Sequence, residues 1–151
     1  MGWIPGWYLV RCQQKGWKKT LKSLNDVGVD ACCPVLHERK LRKDRANSYR
    51  TSEAQAFPGY MFVKFDPEVT HTSTIKRVPG IMDFVHFGLH VHTIKDETVE
   101  ALKHAQIVFA DQNRYECMNM SEYELEKAFE IYQTEVPELR VAKLLALVST
   151  I

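Results

Sequence analysis

Phe57-Pro58-Gly59-Tyr60-Met61-Phe62-Val63-Lys64-Phe65 is the stretch whose reading decides the fold. Pro58-Gly59 supplies a turn, and the aromatic and branched residues after it predict a strand. Side chains alternate across a strand, so Tyr60, Phe62 and Lys64 share one face and Met61, Val63 and Phe65 the other. Large apolar groups lie on both faces, so something must pack on each.

Upstream, Trp7 to Cys12 is rich in aromatic and branched types and reads as a second strand. Trp17, Leu21 and Leu24 follow at helical spacing, with Lys15, Lys18, Lys19 and Lys22 on the other side. Gly28 is placed to end that helix. Val29 to Leu36 resumes as a strand interrupted at Pro34, which suggests an edge or a bend. His37 to Ala56 is polar, strongly basic and poor in large apolar residues, as a projecting loop or hairpin would be.

Downstream, Asp66-Pro67 breaks the strand, and Thr72 to Val78 suits a short helix closed by Pro79-Gly80. Ile81 to Phe87 reads as the next strand. Asp96 can cap a helix running towards Phe109, with Val99, Leu102 and Phe109 inward. This order of elements predicts an α+β sheet domain of the split β-α-β kind over residues 1–109. Residues 110–151 differ. Ser121 and Glu124 have capping-box spacing, with Leu125, Phe129 and Tyr132 behind them. Pro137 fits the first turn of a further helix bearing Leu139, Ala142, Leu145 and Ala146.

Composition excludes several classes. At 151 residues with 45% hydrophobic content, the chain has ample material for a core. No run approaches the roughly 18 apolar residues of a membrane span, and the N-terminus lacks the features of a secretion signal, so a cytoplasmic protein is expected. Cys12, Cys32, Cys33 and Cys117 show no zinc-type spacing, and reduced thiols are expected. The net charge of +1 hides a polarity. Residues 1–50 carry eleven basic and four acidic groups, whereas residues 96–138 carry three basic and eleven acidic ones. A basic front and an acidic back suggest a surface that faces a polyanion and a segment able to shield it, although two solvated faces would give the same count.

The aromatic strand and its surroundings resemble the NusG family of transcription factors. Phe57 to Val63 is similar to the F-P-x-Y-[LM]-F-V strand of that family's N-terminal domain (the NGN domain). Asp66 to Ile75 is similar to the D-P-E-V-x-H-T-T-T-I segment of its RfaH-like branch, with Ser73 for one threonine. Trp7-Tyr8-Leu9 opens the resemblance and Phe84-Val85-His86-Phe87-Gly88 continues it, over about residues 7–105.

The resemblance implies an NGN-type antiparallel sheet flanked by helices, and an elongation or antitermination factor that binds RNA polymerase, needs no cofactor and catalyses nothing. It implies that Phe57, Tyr60, Phe62, Phe84, Phe87, Val99 and Leu102 line an apolar groove for the clamp helices of the β′ subunit. Aromatic side chains are common interface anchors, though the same residues could serve as core. His71, Thr72, Ser73 and Thr74 match the motif that meets the gate loop of the β subunit. Bridging clamp and gate loop would favour the active state of the polymerase, suppressing pausing and termination. Lys15, Lys18, Lys19, Lys22, Arg39, Lys40, Arg42, Lys43 and Arg45 would lie towards non-template or upstream DNA. Here the chain departs from the RfaH-like pattern: Gln13, Ser23 and Pro79 stand where that branch has Lys, His and Arg, and Lys19 replaces an Arg. The branch's sequence-reading element is therefore not carried over.

Proteins of this family normally end in a small β-barrel, the KOW domain, whose tight turns need glycines. No glycine follows Gly88, so a helical extension is expected in its place, and ribosome contact through a KOW domain is not. In RfaH the second domain can fold as a helical hairpin that masks the clamp groove. Leu125, Phe129, Tyr132, Leu139 and Leu145 could do so here, or the helices could be permanent structure. Three other readings compete: a competitor of related factors, a nucleic-acid module without polymerase, and an enzyme with His86, His90 and His92 as metal ligands. The aromatic groove argues against the second, and the last is not expected. A monomer is expected.

Overall fold

The computed structural model describes residues 3–41, 49–110 and 122–149, with side chains described except at 37–41, 49–52, 105–110 and 122. The elements are β1 (Gly6–Cys12), α1 (Trp17–Asp26), β2 (Asp30–Cys32), β3 (Val35–Leu41), β4 (Tyr49–Gln55), β5 (Tyr60–Phe65), α2 (Thr72–Lys76), β6 (Ile81–Phe84), α3 (Asp96–Ala110), α4 (Glu122–Gln133) and α5 (Pro137–Ser149).

Four strands form an antiparallel sheet in the order β2-β5-β1-β6. The aromatic strand β5 is central, paired with β1 from Gly6↔Phe65 to Arg11↔Tyr60 and with β2 from Asp30↔Lys64 to Cys32↔Phe62. Because β1 and β2 both run antiparallel to β5, they are parallel to each other, with α1 crossing between them and β5 inserted. This is the split β-α-β arrangement.

The alternation read from β5 divides the interior into two layers. Tyr8, Val10 and Cys12 of β1 join Met61, Val63 and Phe65 beneath α1 and α2, where Leu24 and Ile75 are fully buried. Trp7 and Leu9 join Phe62 on the opposite face, beneath α3, α4 and α5. The α1 layer is held close at one turn: Gly80 has φ +97°, and a Cβ there would collide with the Thr20 hydroxyl. That hydroxyl donates to Pro79 O at 3.2 Å.

Several sequence-based boundaries shift. The single strand expected over Val29 to Leu36 is two, because Pro34 divides it and only β2 joins the main sheet. The chain beyond Pro34 pairs β3 with β4, from Val35↔Gln55 to Leu41↔Tyr49, so the described parts of the basic stretch are two antiparallel strands. The strand expected to reach Phe87 leaves regular pairing after Phe84, and Phe87 instead bridges His90. Pro137 does open α5, but the buried face of that helix is not the expected one. Arg140, Leu144 and Val148 are buried, whereas Leu139 is 49% exposed and Ala142 and Ala146 are exposed. The helix is apolar nearly all round, so periodicity gave no single stripe, and a buried arginine does not register as a core residue. Ser121 and Cys117 lie outside the described residues; no helix among those described is long and apolar enough to cross a membrane.

Candidate protein-binding groove

The sheet face bearing Trp7, Leu9, Tyr60 and Phe62 forms the floor of a long apolar depression. The Ala56-Phe57 turn and α3 wall it, with Phe57, Val99 and Leu102 each 1% exposed. Phe57 meets Phe62 edge-on, ring centroids 6.4 Å apart. Tyr60 and Phe87 are half-buried at the margin of the same cluster. Six of the seven proposed clamp-binding residues thus converge on one side of the sheet.

Phe84 does not join them. It pairs with Val10, a residue of the opposite face, and is buried among Trp3, Tyr8 and Phe65. The β1–β6 register allows nothing else, since paired residues of neighbouring strands share a face. Phe84 is therefore core beneath the other layer, and the groove as expected from the sequence loses it.

The depression is filled by α4 and α5. Ala128, Ile131 and Tyr132 of α4, with Leu144 and Val148 of α5, are buried in the same cluster as the sheet aromatics. Tyr132 lies 5.9 Å from Phe57 between ring centroids and donates its hydroxyl to Leu102 O at 2.8 Å. Burial raises the Tyr132 phenol above its ordinary pKa, so it stays a donor. Arg140 Nε donates to Ala56 O at 2.8 Å, and its Nη1 donates to Thr134 O at 2.9 Å and Glu135 O at 3.2 Å. One guanidinium thereby joins α5, the α4–α5 turn and the residue before Phe57. The sequence reading missed Arg140; the available signal was a lone positive charge in an otherwise apolar run from Leu139 to Val141. Of the proposed masking side chains, Leu125, Phe129, Tyr132 and Leu145 pack on the cluster, and Leu139 faces outward.

His71 to Thr74 form the start of α2, anchored from below by Ile75. His71 Nδ1 accepts from the Ser73 N–H at 3.1 Å and lies 2.9 Å from Ser73 Oγ, capping the helix. His71 and Thr74 are exposed, and Thr72 and Ser73 are half-exposed.

Lys15, Lys18, Lys19 and Lys22 are exposed along or beside α1. Lys18 pairs with Glu53 of β4 at 3.2 Å, which brings the hairpin beside the basic helix. Arg39 and Lys40 lie on β3 opposite Thr51 and Arg50; Arg42, Lys43 and Arg45 fall outside the described residues.

The cysteines are placed for packing. Gln55 Nε2 donates to Cys33 Sγ at 3.2 Å, and burial pushes the thiols of Cys32 and Cys33 up to about 11 and about 12. Among the described residues no group of three or more His, Cys, Asp or Glu side chains could hold a metal ion. His86 pairs with Asp83, and His92 stacks on Phe87.

A family model described as transcription termination factor nusG matches residues 5–103. The chain belongs to the NusG family. The match spans the whole four-stranded sheet, α1, α2 and the first half of α3. A solved structure, titled "Domain interaction in Thermotoga maritima NusG", shares 22% identity with this chain at a TM-score of 0.46. The similarity covers 74% of this chain and 60% of the NusG chain. Residues 122–149, beyond the family match, are the helices that lie over the family domain's apolar face.

Proposed function

We propose that this NusG-family protein is a transcription elongation and antitermination factor that binds RNA polymerase. Its docking surface for the β′ clamp helices is the face formed by Phe57, Tyr60, Phe62, Phe87, Val99 and Leu102. A second contact, to the β gate loop, is made by His71, Thr72, Ser73 and Thr74. Holding two parts of the polymerase from one rigid sheet favours its closed, active state, so the mechanism is differential binding rather than bond chemistry. The lysines on α1 and the basic hairpin attract nucleic-acid backbone without reading sequence.

The observation that carries this reading is that six of the aromatic and aliphatic positions implied by the family resemblance form one contiguous face. That same face is covered by α4 and α5, which supports a division into a binding domain over 1–109 and a helical mask over 110–151. Binding polymerase would require the helices to leave, and the affinity seen for the whole chain would be reduced by the fraction of molecules that are open.

Binding to transcription elongation complexes tests both parts. Tyr60→Ala is expected to lose affinity, because Tyr60 is a half-exposed aromatic at the margin of the face. A chain ending at residue 109 is expected to bind more tightly than the full chain. If Tyr60→Ala, Phe87→Ala and the full chain bind alike, the groove is not the contact; if the shortened chain binds no better, the helices are permanent structure.

A further inference from the structure

A cavity of about 660 Å³ opens at the seam between the sheet domain and the C-terminal helices. Its floor includes Tyr8 of β1, Thr98 of α3 and Val148 of α5, each buried. Its rim holds four of the large apolar side chains that the protein exposes: Trp3 at 38%, Ile4 at 57%, Leu89 at 92% and Tyr123 at 61%. Scattered single apolar residues on a surface are ordinary, but several gathered round one concavity mark a place where something apolar binds. The volume falls in the range of small-molecule sites, which combine apolar walls with a few polar groups.

The polar groups define the class of ligand. Lys95 is the lysine among the lining residues, which also include His86 and His92. The carboxylate in the lining, Glu124, accepts from Thr98 Oγ1 at 3.2 Å. We propose that the cavity binds a small amphipathic molecule with an apolar body and a single anionic group, which Lys95 attracts. The walls come from residues 3–98 and from residues 123–148, so docking of α4 and α5 completes the site. On the masking reading proposed above, on which this consequence rests, the ligand would stabilise the covered state and weaken polymerase binding.

The test needs no polymerase, so it stands apart from that reading. The full-length protein is titrated with 8-anilinonaphthalene-1-sulfonate, a flat monoanion, by fluorescence and calorimetry, with native packing checked by near-ultraviolet circular dichroism. One saturable site is expected. Ile4→Glu and Leu89→Glu, both at exposed positions, should each weaken it at least about ten-fold, whereas Val69→Glu, exposed and outside the cavity, should change it less than about two-fold. Lys95→Glu should weaken the sulfonate at least about five-fold and leave the uncharged N-phenyl-1-naphthylamine within about two-fold. Absence of a saturable site, or binding indifferent to both rim substitutions, overturns the site. Equal effects of Lys95→Glu on the two probes overturn the anionic class.

Discussion

Arg140 is the residue whose environment most constrains the covering helices. A charged group is costly to bury unless it is hydrogen-bonded, and here three backbone carbonyls accept from the guanidinium. Replacing Arg140 by Met leaves the buried Ala56 carbonyl without this donor, which costs about 1–3 kcal/mol. Urea denaturation should show that loss, and Arg140→Lys should recover little of it because a point charge cannot reproduce the planar fork. Cys33 gives a pH prediction. Its thiol ionises near 9 in the unfolded chain and at about 12 in the native one, through burial, so the native state holds the proton longer. The contribution is fully present below pH 9 and is lost as pH rises towards 12. Wild type should therefore lose more stability than Cys33→Ala over that window, read as urea midpoints at several pH values. The residue scale also shows where sequence reading failed: Phe84 looked like its aromatic neighbours, and only its pairing with Val10 sends it to the other face.

At the scale of elements, α5 covers the groove through few buried positions, chiefly Leu144 and Val148 with Arg140. Leu144→Ala removes a fully buried side chain and should cost about 2–5 kcal/mol. If the helices detach as a unit, that cost falls on their docking. Amides of α4 and α5 would then lose hydrogen-exchange protection while those of β1 and β5 keep theirs. Uniform loss of protection would instead show one cooperative unit. The helices themselves were legible in the sequence, from Pro137 and from the spacing of Leu125, Phe129 and Tyr132. The face that α5 buries was not, because Leu139, Val141, Leu144, Leu145 and Leu147 surround that helix with apolar groups.

For the whole molecule, the nucleic-acid contact proposed for the basic α1 surface would be salt-dependent. Each phosphate neutralised on a single strand contributes about −0.7 to the slope of log affinity against log salt. Substituting Lys15, Lys19 or Lys22 by Ala should therefore flatten that slope by about 0.7 each, measured by anisotropy with single-stranded DNA of mixed sequence. A substitution that changed affinity for one sequence only would point to base reading instead.

The sequence by itself determined the local framework. Alternation in Tyr60 to Phe65 required a sheet covered on both faces, glycine and proline placed most of the breaks, and the spacing of Leu125, Phe129 and Tyr132 with Pro137 predicted the C-terminal helices. These are properties of neighbouring residues, set by backbone sterics and by the periods of strand and helix. Only the tertiary structure decided which of the two covers each face received. Phe84 went beneath the α1 side, Phe57 and Phe62 went beneath α4 and α5, and Arg140 reached across 84 positions to the carbonyl of Ala56. Burial is not directional along the chain: any apolar surface can satisfy another, so the choice of partner is made by strand register and by the few polar groups that must be paired.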